Sequence, residues 1–399
     1  MIVFDDHLSD AFHPITLTRS VSDIRCGILK LRQRLQNVFG DEDQAVWIDH
    51  SLLEVYLHRH PDWQVNQASE SDSLLVNSRL IPCEKAYAEI KTLQPQQALI
   101  REDSIVAFRT SGIFAQLPTI EELQERGVRC SECDLDLYQN LAQIILDNPR
   151  LIKEDFELFF YDKDNSFETE PGVIVLNPYN VWIGENVSLK PGVVLDASDG
   201  PIVIDEDACV MSNAVIMGPC YIGKKSLIKI GAKIYGGTSI GAVCKVGGEV
   251  ECSIFQAFSN KQHDGFLGHA FVGEWVNIGA DTNNSDLKNT YKNVAFHSYR
   301  ENCMIDSGSM FLGSIIADHV KLGINCSINT GCVIGIGANL YGANLISGFI
   351  PDFSWGEAGN LVSYRFDAIC DTAKLVKQRR GLELSSPEIK LLKHISENT

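Results

Sequence analysis

His263 is the side chain whose neighbours best equip it for chemistry in this 399-residue chain. It stands in Asn260-Lys261-Gln262-His263-Asp264-Gly265-Phe266-Leu267-Gly268, a stretch of small, polar and turn-forming residues. An imidazole on such a loop can accept a proton near neutral pH. Acyl transfer to an amine needs this, because the nucleophile must shed a proton as it attacks a thioester carbonyl. Backbone N–H groups and amides close by, as in Val276-Asn277-Ile278-Gly279-Ala280-Asp281-Thr282, could hold the developing oxyanion. On these residues alone a purely structural histidine is the competing reading.

A second set lies near the N-terminus. Asp5 and Asp6 follow the apolar Ile2-Val3-Phe4 and could hold Mg²⁺. Arg19, Arg25 and Lys30 could face the phosphates of a nucleotide, and Asn77-Ser78-Arg79 stands at a predicted strand end, where α/β sites form. A nucleotidyltransferase usually follows its first strand with a glycine-rich turn that cradles the triphosphate. Here His7–Arg19 fills that place, and no glycine precedes Gly27. Arg19 and Arg25 could equally pair with Asp6 and Asp23.

The element expected to carry His263 is legible as a repeat. Ile204, Val210, Ile216, Ile222, Ile228, Ile234, Ile240 and Val246 stand six residues apart. Four residues after each comes Ala208, Ala214, Cys220, Ser226, Ala232, Thr238, Cys244 or Val250, small in every case but the last. This period fits neither a helix nor one long strand. It fits a coil of three short sides in which each aliphatic stacks on the one three sides away, the pattern of a parallel β-helix. The repeat extends upstream to Ile183, Leu189 and Leu195, and downstream to Val272, Ile278, Ile316, Leu322, Ile328, Ile334 and Leu340. Its frame breaks between Cys252 and Val272 and between Thr282 and Ile316, and both breaks are expected to be loops leaving the coil.

Around the coil, Ser22–Val38, Thr119–Arg126 and Leu135–Asp147 read as helices and Ser73–Val76 and Ser104–Phe108 as strands, giving an α/β layer domain. The expected organisation is an α/β domain over 1–170, ending in a polar linker at Tyr161–Glu170. A left-handed parallel β-helix follows over 171–350, then a helical tail over 351–399. That tail reads as a helix over Tyr364–Arg380 and a second one capped by Ser386-Pro387-Glu388.

Formal net charge of −18 argues against nucleic acid as partner. Between Gly218 and Lys261, however, six lysines (224, 225, 229, 233, 245 and 261) face two acids, which suggests a small phosphorylated ligand or a solvated coil face. No run of about 18 apolar residues is present, so no membrane span is expected and the cytoplasm is the expected home. Cys220, Cys244, Cys326 and Cys332 occupy small positions of the repeat and read as core residues of a reduced protein. Cys130 and Cys133 form the only C-x-x-C, without a second pair at zinc spacing.

Lys261–Lys292 resembles the acetyltransferase domain of the bifunctional N-acetylglucosamine-1-phosphate uridyltransferase/glucosamine-1-phosphate acetyltransferase family. That family reads H-x-x-Y-L-G-D, N-x-G-A-G-T and N-Y-D-G. Here the corresponding residues are His263–His269, Asn277–Thr282 and Asp286-Leu287. The resemblance implies that His263 is the general base, with Asn277 and Lys292 near the sugar phosphate. It also implies that Ala280, Thr282 and Thr330 line the acetyl-CoA groove, and that the coils pack as a homotrimer with shared sites. Phe266 stands for the family's tyrosine and Asp286 for its asparagine, a carboxylate that suits an ammonium group. Lys261 could replace a family lysine whose place Glu251 takes. Phe4-Asp5-Asp6, Pro14–Arg19, Asp23–Leu29 and Phe353-Ser354-Trp355-Gly356 are similar to a divergent subgroup of the same family.

The expected activity is acetyl-CoA-dependent N-acetylation of an amino-sugar 1-phosphate, glucosamine 1-phosphate being the expected acceptor. Mg²⁺- and UTP-dependent uridylyl transfer would be a second activity. The rival expectations are a non-catalytic sugar-nucleotide sensor and a nucleotidyltransferase whose coil is only a trimerisation stalk.

Overall fold

A computed structural model of the chain describes residues 1–40, 45–67, 72–110, 116–165 and 170–398. Two compact units divide it. The first holds Met1–Ile24, Leu29–Leu141 and Ser386–Leu392; the second holds Arg25–Ile28, Ala142–Ser385 and the residues from Lys393 on. The boundary expected at 170 therefore moves to Leu141. The reason is a helix longer than expected: Leu141–Phe159 runs through Pro149 and counts with the coil, and part of the expected linker, 166–169, lies outside the described residues.

In the first unit a seven-stranded mixed sheet has the order Gln64–Val65, Ala45–Trp47, Ile2–Phe4, Ser73–Asn77, Ser104–Thr110, Gln97–Arg101, Arg129–Glu132. Only Ser104–Thr110 runs antiparallel to its neighbours. Val3 enters one apolar cluster while Ile2 and Phe4 enter another, so the strand before Asp5 is buried on both faces, as its unbroken apolar run requires. The helix expected over Ser22–Val38 is confined to Leu31–Phe39. Before it the chain makes a short 3₁₀ turn at Val21–Asp23, and Arg25–Ile28 then belong with the second unit, Gly27 taking a positive φ of 81°.

The second unit is a parallel β-helix of three sheets. The stacking expected from the six-residue period is seen directly: Ile204 pairs with Ile222 and Ile222 with Ile240, while Val210, Ile228 and Val246 line the next side. The small positions are closed too, with Cys220, Cys244, Cys326 and Cys332 buried as free thiols.

The two frame breaks differ in kind. The first is no loop leaving the coil. Its corners are shortened, first at Gly247-Gly248, so that Ile234 stacks on Val250 rather than on a residue 18 positions on. The strands then continue through Ile254–Phe255, Asn260–Lys261, Phe266–Gly268 and Phe271–Val272. The second break is a true excursion, carrying the hairpin Ala295–Ser298/Cys303–Asp306. Beyond the coil, helices span Phe366–Gln378 and Ser386–Asn398. Among the described residues no helix is long and apolar enough to cross a membrane.

Candidate active site

His263 stands on the corner between the strands Asn260–Lys261 and Phe266–Gly268, and its ring is exposed. What fixes this corner comes from inside the coil. Lys261 occupies an aliphatic slot, following Val246 in the stack, and is 1% exposed. Its Nζ donates to the carbonyls of Gly247 (3.1 Å), His263 (3.1 Å) and Gly265 (2.6 Å). A buried ammonium with all three donors used is tolerated, whereas an unpaired one is not. Burial pushes this amine down to about 8, with Asp264 and Asp281 pulling the other way. The expected substrate contact by Lys261 is thus corrected: it clamps the loop that presents His263 and does not face a ligand.

A second polar residue fills a core slot beside the first. Asn284, 3% exposed, pairs with Ile328 and takes both backbone groups of Gly268, accepting from its N–H at 2.8 Å and donating to its carbonyl at 2.9 Å. Gly268 has no room for a side chain. A Cβ there would lie 2.3 Å from Asp286 Oδ2 and 2.5 Å from the Phe266 ring, so these two groups converge over it. Asp286 Oδ2 accepts from His269 Nδ1 at 2.8 Å, and the His269 ring stacks on Phe311 with centroids 5.2 Å apart.

Burial works to lower the His269 pKa, but hydrogen bonds to Asp286 and Cys252 outweigh it and hold the ring at about 9. Asp286 is therefore a carboxylate pinned by an imidazolium, its Oδ1 left without a protein partner among the described residues. A histidine raised from 6.5 to about 9 contributes stability that is full below pH 6.5 and lost as pH rises through 9. Asp286→Asn should accordingly destabilise the coil by about 1–3 kcal/mol at pH 6 and by much less at pH 10. Thermal melts of the two proteins at both pH values check this; an equal deficit at both would contradict it.

The other expected residues divide. Asn277 is exposed in the row that also holds Asn260. Ala280 lies at the next corner above His263, where Asp281 N–H donates to the Asp264 carbonyl at 2.9 Å. Thr330 is half-buried, and Lys292 is exposed in the excursion. Thr282 is corrected: it is 2% exposed, its hydroxyl donates to Gly323 O at 2.9 Å and accepts from Cys326 N–H at 3.2 Å, so it staples two coils and cannot line a groove. Glu251, in the place of the family's lysine, pairs in register with Gly268, and Glu249 pairs with Phe266 and is bridged by Lys233 at 3.4 Å.

In the first unit most of the expected nucleotide and metal ligands are structural. Arg79 is 0% exposed; its guanidinium donates to Asp6 Oδ1 (2.8 Å) and Oδ2 (2.6 Å), to Tyr138 O and to Ser104 Oγ. Asn77, also 0% exposed, adds a bond to Asp6 Oδ2 at 2.8 Å. Burial would raise the Asp6 carboxyl, but Arg79 holds it below the usual carboxylate range. Asp5 accepts from the Ser20 and Ser78 hydroxyls, and burial pushes its carboxyl up to about 7. One acid already saturated and one drawn toward its neutral form do not fit Mg²⁺, and among the described residues no group of three potential metal ligands is present.

Lys30 Nζ bridges Asp23 at 2.9 Å, as does Arg32. Arg19 is 3% exposed. Arg25 belongs to the coil unit, where its N–H donates to Gln256 at 3.0 Å and its guanidinium lies over the Tyr221 ring. A cleft of about 800 Å³ does open at the strand ends, lined by Asp5, Asp49, Glu102, Asp103 and Glu121 among others. Its walls are acidic, and none of the expected cations lines it.

Known proteins match parts of the chain. Residues 1–163 match the sugar nucleotidyl transferase family. The bifunctional protein GlmU of Wigglesworthia glossinidia brevipalpis is 30% identical over 168 residues, 40% of this chain and 32% of that protein. A bifunctional sugar-1-phosphate nucleotidylyltransferase/acetyltransferase of Sulfurisphaera tokodaii is 33% identical over 177 residues, 44% of this chain and 41% of the relative. The matches thus span well under half the length of these relatives. Among solved structures, UDP-N-acetylglucosamine acyltransferase from Campylobacter jejuni aligns over 57% of this chain and 95% of its own, with 13% identity and a TM-score of 0.31.

Proposed function

We propose that the coil is an acetyl-CoA-dependent N-acetyltransferase acting on an amino-sugar 1-phosphate, with glucosamine 1-phosphate as the acceptor. The observation that carries this reading is one strand, Phe266–Gly268: the corner before it, clamped by Lys261, exposes the His263 imidazole, and the pinned Asp286 carboxylate lies over its last residue, Gly268. Asp286 Oδ1 would receive the acceptor's ammonium, which loses one proton to solvent before it reacts. As the neutral amine attacks the thioester carbonyl, His263 takes its proton, the C–S bond breaks, and the CoA thiolate leaves to be protonated. The Ala280 corner would receive the acyl arm. In a homotrimer, a neighbouring copy would supply the second wall of a crevice that one coil leaves open. Phe266, in place of a hydroxyl, makes that wall more apolar.

The match of residues 1–163 to sugar nucleotidyl transferases supports uridylyl transfer from UTP as the finer half of the reading. The acidic cleft would be its place, though no step is assigned to Asp5 or Asp6. The test uses the full chain with glucosamine 1-phosphate and acetyl-CoA, products separated by mass. An acetylated sugar phosphate and free CoA in equal amounts are expected. A protein that binds nucleotide sugars yet leaves acetyl-CoA intact would be a sensor.

A further inference from the structure

The lysine zone is not one patch. Lys224 pairs with Glu206, Lys233 with Glu249, and Lys261 is buried in the core. Among the described residues three lysines are left without a carboxylate, Lys225, Lys229 and Lys245, and the C-terminal tail brings the charges of Arg379 and Arg380 to Lys245. Arg380, two residues past the helix Phe366–Gln378, donates from Nη2 to Asn260 Oδ1 at 2.8 Å. Asn260 pairs in register with Lys245, so the guanidinium is held by the residue one strand over from Lys245. Lys229 stands directly beneath: a Cβ on Gly247 would lie 2.9 Å from Lys229 Cβ. The same corner abuts the catalytic loop, since a Cβ on Gly248 would lie 2.7 Å from the His263 carbonyl.

We propose that Lys229, Lys245, Arg379 and Arg380 form a phosphate-binding site on the coil face beside His263, receiving the phosphate ester of one of the two substrates. Among the described residues no carboxylate pairs with any of the four. Burial and the charges of Arg380, Arg379 and Lys229 push the Lys245 amine down, and burial with Arg379 lowers Arg380, so the cations crowd one another. The repulsion within such a cluster is local, and a bound anion would relieve it. Guanidinium groups with flanking ammoniums match a phosphate's oxygens, two of them bidentately. The assignment to a substrate rests on the proposed acetyl transfer; the anion site itself does not.

The experiment separates the two. Inorganic pyrophosphate is titrated calorimetrically into the full-length wild type and into a K245Q/R380Q double variant, with the fold of each checked by thermal melting. The wild type should bind, the variant about 10- to 100-fold more weakly, and the salt dependence of binding should flatten. Kinetics then name the source. A rise in KM for glucosamine 1-phosphate but not for glucosamine assigns the acceptor's phosphate; a rise in KM for acetyl-CoA assigns the CoA phosphates. Pyrophosphate binding that is absent from the wild type, or equally tight in the variant, overturns the site. Binding lost in the variant of a protein that transfers no acetyl group would leave the site standing and remove the enzymatic reading.

Discussion

His263→Ala should reduce the rate of CoA release from acetyl-CoA and glucosamine 1-phosphate by about 10²- to 10⁴-fold, the range for losing a general base. The melting temperature should stay near that of the wild type. The exposed ring makes no hydrogen bond within the described residues, so removing it opens no cavity and strands no partner. The clamp that shapes the corner uses the backbone carbonyl of residue 263, which alanine keeps. KM for acetyl-CoA should change little, because the imidazole acts on the amine proton. A variant as active as the wild type would return His263 to a structural role.

The largest stability effect is expected at the other end of the chain. Arg79→Met should destabilise the first unit by about 3–5 kcal/mol, the usual cost of leaving one member of a buried ion pair alone. Asp6 would lose two charge-assisted hydrogen bonds, keeping only those from Asn77 and the Leu8 N–H. Tyr138 O and Ser104 Oγ would lose a donor as well. Because Arg79 holds the Asp6 carboxyl low, the wild-type unit should lose this contribution as pH falls through the acid range, whereas the variant should show little of that dependence. Denaturant melts of the two proteins at pH 7 and pH 4 check both statements. A deficit below 1 kcal/mol at pH 7 would show that Arg79 is dispensable to the fold.

The coil was legible because stacking in a solenoid imposes its period on the sequence: each of the eight aliphatics from Ile204 to Val246 has one environment and one partner per turn. The short sides leave no freedom of register, so the pattern and the structure agree residue by residue. What the pattern could not show was a polar residue doing an aliphatic's job. Lys261 and Asn284 looked like loop residues because they are polar, yet both point into the core and satisfy backbone groups there. Their signal was present as spacing: each stands six residues before or after an aliphatic of the stack.

The first domain misled for a related reason. Asp6, Asn77 and Arg79 have the composition of a phosphate or metal site, but three polar groups that satisfy one another when buried look the same in a sequence as three that await a ligand. The cations beside Lys245 were hidden differently, since Arg380 reaches the coil only through the fold of the tail. Likewise, nothing local marks His269 as the partner of Asp286, seventeen residues on and brought beside it by one turn of the coil.

The role of the imidazole is tested most directly by chemical rescue. His263→Gly leaves a gap where the ring stood, and free imidazole added to the acetyl-transfer assay can occupy it. Turnover should be nearly absent without imidazole, should rise to saturation as imidazole is added, and should follow the concentration of its neutral form; the wild type should not respond. A variant that turns over at the wild-type rate without imidazole, or one that stays inert at every concentration while still binding acetyl-CoA, would contradict a general base at position 263.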